Sequence, residues 1–169
     1  MSRFVLLSSA AACIVGLAPA IASARAPGRL DWDRNPITFR GGVPVGGRMH
    51  LTLRQDGSYT FEGHFHNSGF PSYNVAVVYV VKDADNRAYT FTHKGHMAGT
   101  VEKGSRNFDW AINGRNPDIA KNWGRLVAGG RGSAKAHTNL DLGPLIRDVK
   151  EAIGFVRDVI TVVGPVLGL

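Results

Sequence analysis

His64 and His66 flank Phe65, and a strand, whose side chains repeat every two residues, would set both imidazoles on one face. Two imidazoles so placed can supply two ligands to a zinc ion. Residues 48–54 alternate in the same way, with Met49, Leu51 and Leu53 apolar and Arg48, His50 and Thr52 polar. The turn Gln55-Asp56-Gly57 joins the two runs. A two-residue turn would set Leu51 against Glu62 and Leu53 against Thr60. A three-residue loop with Gly57 in the left-handed region instead pairs Leu53 with Tyr59, Leu51 with Phe61 and Met49 with Gly63, which keeps apolar with apolar. In that register His50 faces Glu62 and lies diagonal to His64. The candidate metal set is therefore His50, Glu62, His64 and His66. With three protein ligands and an open position, zinc would activate a water, with Glu62 as ligand or base. The competing reading makes these residues the solvated face of an antiparallel sheet.

A second group of candidates gathers at a loop rim. If the strands at 59–66 and 88–94 run toward the same end, His93 and His96 approach Asn67, Phe70 and Tyr73 there. Trp123, at the end of a short predicted helix, completes a candidate ligand-binding set with these five. Aromatic faces and planar polar donors suit carbohydrate or an amphipathic ligand. His93 alternates with Tyr89 and Phe91, a pattern that also permits a core position. Trp110 alternates with Phe108 and Ile112 and reads as core.

The elements that must position these residues are short strands. Val75–Val81 is seven apolar residues in a row, a strand buried on both faces. Further strands are expected at Ile37–Phe39, Ala88–Lys94, Met97–Lys103, Arg106–Ile112 and Ala134–Leu140, with a brief one at Arg125–Ala128. Asn113-Gly114 reads as a turn, and Asn116-Pro117-Asp118 as the start of a short helix over 117–123. Seven to nine short strands predict a mainly β fold, an antiparallel β-sandwich or small β-barrel spanning 37–140. Residues 25–36, punctuated by Pro27, Gly28 and Pro36, are expected to form a flexible N-terminal arm. From Leu142 to Val163 apolar residues recur at helical spacing, which predicts one C-terminal amphipathic α-helix over 141–163, packed on the β domain and followed by an apolar tail at 164–169.

Residues 1–24 read as a signal peptide: Arg3, an apolar run over 4–17, then Ala22-Ser23-Ala24 as the cleavage motif. Cleavage near Ala24 would leave 169 − 24 = 145 residues, secreted or periplasmic, without cysteine, since Cys13 stands in the leader. The remaining charge would be 19 − 13 = +6, concentrated between Lys94 and Lys135. That excess suits either a solvated, soluble surface or contact with an anionic partner surface such as phospholipid or an envelope polymer. Export and the lack of any finger or basic helix argue against nucleic acid. Without a thiol, a nucleophile elbow or a recognisable acidic pair, the sequence leans away from an enzyme.

Three functional expectations follow. The first is an exported, non-catalytic binding protein holding a small or polymeric ligand, or a protein partner, at the loop rim. The second is a zinc-binding or zinc-dependent protein built on the histidine face. The third is a membrane-interacting effector working through the C-terminal helix, although no predicted segment of the mature chain is long enough to span a bilayer.

Overall fold

A computed structural model describes residues 27–39 and 42–139, together with Arg147 and the backbone of 160–162. The leader and the apolar tail lie outside the described residues, as does most of the segment predicted to be the C-terminal helix. Seven strands form two facing antiparallel sheets: β1 (Arg29–Thr38), β2 (Val45–Arg54), β3 (Ser58–Asn67), β4 (Tyr73–Lys82), β5 (Ala88–Met97), β6 (Asn107–Arg115) and β7 (Arg131–Thr138). The first sheet has the order β1-β2-β3-β6 and the second β7-β4-β5, with a three-residue β8 (Ile160–Val162) added parallel to β5. Neither sheet closes on itself, so of the two predicted architectures the chain adopts the sandwich.

The β2–β3 hairpin has the predicted register: Leu53 faces Tyr59, Leu51 faces Phe61, Met49 faces Gly63, and His50 faces Glu62. Gly57 has φ +87°, and its N–H donates to the Arg54 carbonyl at 2.9 Å. An L side chain resists that conformation, so the glycine determines the loop, and the loop determines which face every following residue takes.

Between the sheets lies one aromatic-rich core. Phe61 on β3 meets Trp110 of its own sheet and Tyr79 and Phe91 of the other, with ring centroids 5.6, 6.4 and 6.5 Å away. Glycines on the inner face make room for the rings. Gly63 pairs directly with Trp110, and a Cβ there would come within 2.2 Å of the indole. Gly114 pairs with Tyr59 and would meet its ring at 2.4 Å. Small-against-large pairing across strands lets the rings pack within the layer.

Several expectations are corrected. The supposed arm is strand β1, paired with β2 from Arg29 onward. Its Pro36, read as a loop marker, sits where the β1 register shifts, and on an edge strand proline costs little. Asn113-Gly114 does not turn the chain: both residues lie inside β6, opposite Thr60 and Tyr59, where glycine is needed for space. β5 runs through Lys94-Gly95 to Met97, and 98–103 is a connection of turns and bends in place of a strand. Gly95 belongs in the strand because the Phe108 ring would lie 2.0 Å from any Cβ there. Residues 125–128 are helical. Asn116 caps α1 (Pro117–Lys121) by accepting from the Asp118 N–H, as expected, and the chain continues into α2 (Trp123–Gly129), which buries Trp123 and Leu126. β7 begins at Arg131, three residues before the predicted start at Ala134. The helix predicted to reach Val163 does not include 160–162, which are extended and paired with β5. Ile-Thr-Val is β-branched throughout and favours that conformation.

Candidate functional site

The outer face of the first sheet is polar, and its residues fall into cross-strand rows. One row reads Asp33, His50, Glu62, Ala111; the next reads Arg48, His64, Asp109. Together they line an open trough of about 750 Å³, with Gly63 and Trp110 beneath. All four predicted metal residues project from this sheet, but the imidazoles turn apart. His50 leans toward β1: its Nδ1 lies 2.6 Å from an Asp33 carboxylate oxygen, and its Nε2 lies 3.0 Å from the Thr52 hydroxyl and 3.2 Å from Asp31. His64 leans toward β6, with Nδ1 2.5 Å from Asp109. His66 also leans that way, donating from Nδ1 to the Asn107 amide oxygen at 2.6 Å. Each histidine is thus held by its own neighbour. Among the described residues, no group of three or more His, Cys, Asp or Glu is disposed to hold a metal ion.

Asp31 and Asp33 are the part of this face that sequence reasoning missed, because they were assigned to a loose arm. The signal was present in Arg29-Leu30-Asp31-Trp32-Asp33, which alternates strictly. Arg29 donates to Asp31 at 2.7 Å, and this hydrogen bond, with that from Thr52, holds the Asp31 carboxyl below the usual carboxylate range. Being largely solvated, the pair contributes little stability.

The six rim residues do not assemble into one site. Trp123 is buried rather than exposed, and its indole N–H donates to the Pro27 carbonyl at 2.9 Å. Helix α2 continues past it, so the residue expected at a helix end instead faces the core. Asn67 is wholly buried and bonds to backbone groups of the adjacent loops. Tyr73 is half-buried and packs against the core. Phe70 stands 72% exposed. His96 lies 2.9 Å from Asn74 and 3.4 Å from Glu102, on the outer side of the second sheet.

His93 points inward, as its alternation with Tyr89 and Phe91 allowed. It stacks on Phe108 with ring centroids 5.3 Å apart and tilts against Trp110 at 6.1 Å. Burial lowers the imidazole's proton affinity. An unfolded chain would protonate it near pH 6.5, roughly the free value, while the folded chain does so only at lower pH. Below about pH 6.5 the unfolded state therefore binds more protons, so this contribution is complete above that pH and falls as the solution is acidified. His93→Phe is expected to flatten the acid limb of stability below about pH 6.5. Urea midpoints across that range measure it, and equal acid losses in variant and wild type would refute the assignment.

No protein-family model, curated protein or solved structure matches this chain, so the site stands on its own geometry.

Proposed function

We propose that the protein is an exported, non-catalytic binding protein whose ligand occupies the trough on the outer face of the first sheet, not the loop rim. The observation that carries this reading is the row structure itself: a continuous patch of charged and hydrogen-bonding side chains on rigid strands, lining an open concavity. Sites built on strands hold their groups more closely than sites on loops. His50 pairs with Asp33 and His64 with Asp109 across neighbouring strands, which fixes the orientation of both imidazoles as recognition groups.

The charge balance points to the ligand class. Asp33, Glu62 and Asp109 oppose a single guanidinium, Arg48, leaving an acidic trough within a basic protein. A small polar ligand carrying an amine fits that potential, with Arg48 available for a hydroxyl or carboxylate on the same molecule.

Titration of the untagged protein with spermidine, followed by amide chemical shifts, tests this. Shifts are expected at residues 48–50, 62–64 and 109–111, and Glu62→Gln should weaken binding by about tenfold. Shifts confined to residues 67–73 and 93–102 would return the ligand to the rim. Stoichiometric zinc uptake that disappears in His50→Ala would favour the metal reading instead.

A further inference from the structure

A different face of the molecule carries a second conclusion, independent of the trough. Strand β4 is buried on both sides: Val75, Val77, Tyr79 and Val81 face the core, while Ala76, Val78 and Val80 face away from it yet are 0–2% exposed. On the adjacent β5, Ala88 and Thr90 lie on that same outward face and are wholly buried. None of these outward residues belongs to the cluster between the sheets. The Thr90 hydroxyl is buried there and has no hydrogen-bond partner among the described residues.

The path of the chain indicates what covers them. β7 leaves one edge of the second sheet at Thr138, opposite Val75. β8 enters the other edge at Ile160, opposite Ala88, which itself pairs with Lys82. β7 and β8 run parallel, so the connection must return along the sheet from the Val75 end to the Lys82 end, roughly 23 Å, and cross three strand spacings, roughly 14 Å. The inner face is filled by the first sheet, which leaves the outer one. The diagonal is about 27 Å, and a helix over residues 141–159 would be about 28 Å long. Parallel strands joined by such a crossover are the ordinary arrangement of a helix on a sheet.

Charge agrees with the path. Among the described residues, the charged side chains that the strands carry on the outer face are Lys82, Lys94, Arg131 and Lys135, with Glu102 beside His96 at the Val75 end. Residues 141–159 carry Asp141, Asp148, Glu151 and Asp158 against Arg147, Lys150 and Arg157. Arg147, on the polar side of the predicted helix, is helical and exposed.

We infer that residues 141–159 dock as an amphipathic helix across the outer face of the second sheet, making the domain a three-layer β-β-α structure. The apolar stripe of this segment is then spent on Val78, Val80 and Ala88 and is not available to a membrane. A single thiol placed under the segment tests this in the full chain. In a Cys13→Ser background, Val78→Cys is expected to react with a maleimide at least about tenfold more slowly than Lys103→Cys on an exposed turn. Adding Ile153→Asp should bring the two rates together while the β-sheet circular dichroism persists. Equal rates without Ile153→Asp would overturn the inference. Protection that survives Ile153→Asp would also overturn it, and sedimentation would then show whether a second copy is the cover. Should Ile153→Asp not fold, carbodiimide cross-linking of the unaltered protein decides. Links from Lys82 or Lys135 to Asp148, Glu151 or Asp158 are expected, and links only to acids outside 141–159 would overturn the docking.

Discussion

Phe61→Ala is expected to cost about 3–5 kcal/mol of stability, the range for removing a buried aromatic ring. The ring is 1% exposed and is the piece of β3 that reaches both Tyr79 and Phe91 on the opposite sheet. Its loss removes dispersion contacts on both sides of the sandwich at once. The neighbours cannot close the gap, because Trp110 is seated over Gly63 and Phe91 packs against Tyr59 with centroids 4.9 Å apart. A whole domain is worth only about 5–15 kcal/mol, so this variant should stand close to unfolding. Thermal melting is the measurement, with a fall in Tm on the order of 10–20 °C. A loss below about 1 kcal/mol would mean that the two sheets are not joined through this ring.

Asn67→Ala is expected to be the largest loss from a polar residue, about 2–4 kcal/mol. The side chain is fully buried and makes three bonds: it donates to the Pro71 carbonyl at 2.8 Å and the Ala98 carbonyl at 3.0 Å, and accepts from the Gly69 N–H at 2.9 Å. It ties the β3–β4 loop to the chain that leaves β5. Truncation strands two carbonyls and one N–H away from water, each costing about 1–3 kcal/mol before any water enters. Asn67→Asp separates hydrogen bonding from packing. It keeps the shape but sets a carboxylate oxygen against two carbonyls, and should cost at least as much as alanine. Urea unfolding of both variants, with amide exchange at Gly69 and Ala98 reporting the loop, measures the effect. Wild-type stability in Asn67→Ala together with lost ligand binding would restore this residue to the rim site where the sequence suggested it.

These two residues show where local reasoning ends. Phe61 was legible as core because it alternates within its own strand. Asn67 was not legible as a brace, because its partners lie four residues away in a loop and thirty-one residues away beyond β5. Nothing in the local pattern of an asparagine after a strand distinguishes a ligand-binding amide from one consumed by backbone carbonyls. Trp123 failed for the same reason: its burial depends on a helix continuing beyond it and on the carbonyl of Pro27 at the other end of the chain.

The sequence by itself determined whatever rests on period and turn chemistry. Alternation separated the inner from the outer face of β2, β3 and β6, the unbroken apolar run announced a strand buried on both sides, and Gly57 set the hairpin register. These are interactions between residues close in the chain, where one wrong step would turn every apolar side chain to water. Tertiary structure decided which strands became neighbours and which faces were covered. It paired β1 with β2, bringing Asp31 and Asp33 to His50 and drawing that imidazole away from His64, which Asp109 holds from the other side. It also set glycines against large rings: Gly63 makes room for Trp110, Gly114, which read as a turn, for Tyr59, and Gly95 for Phe108. The histidine face was readable as a face. Whether its members converge depended on acidic partners from two strands, one before it and one after it in the chain.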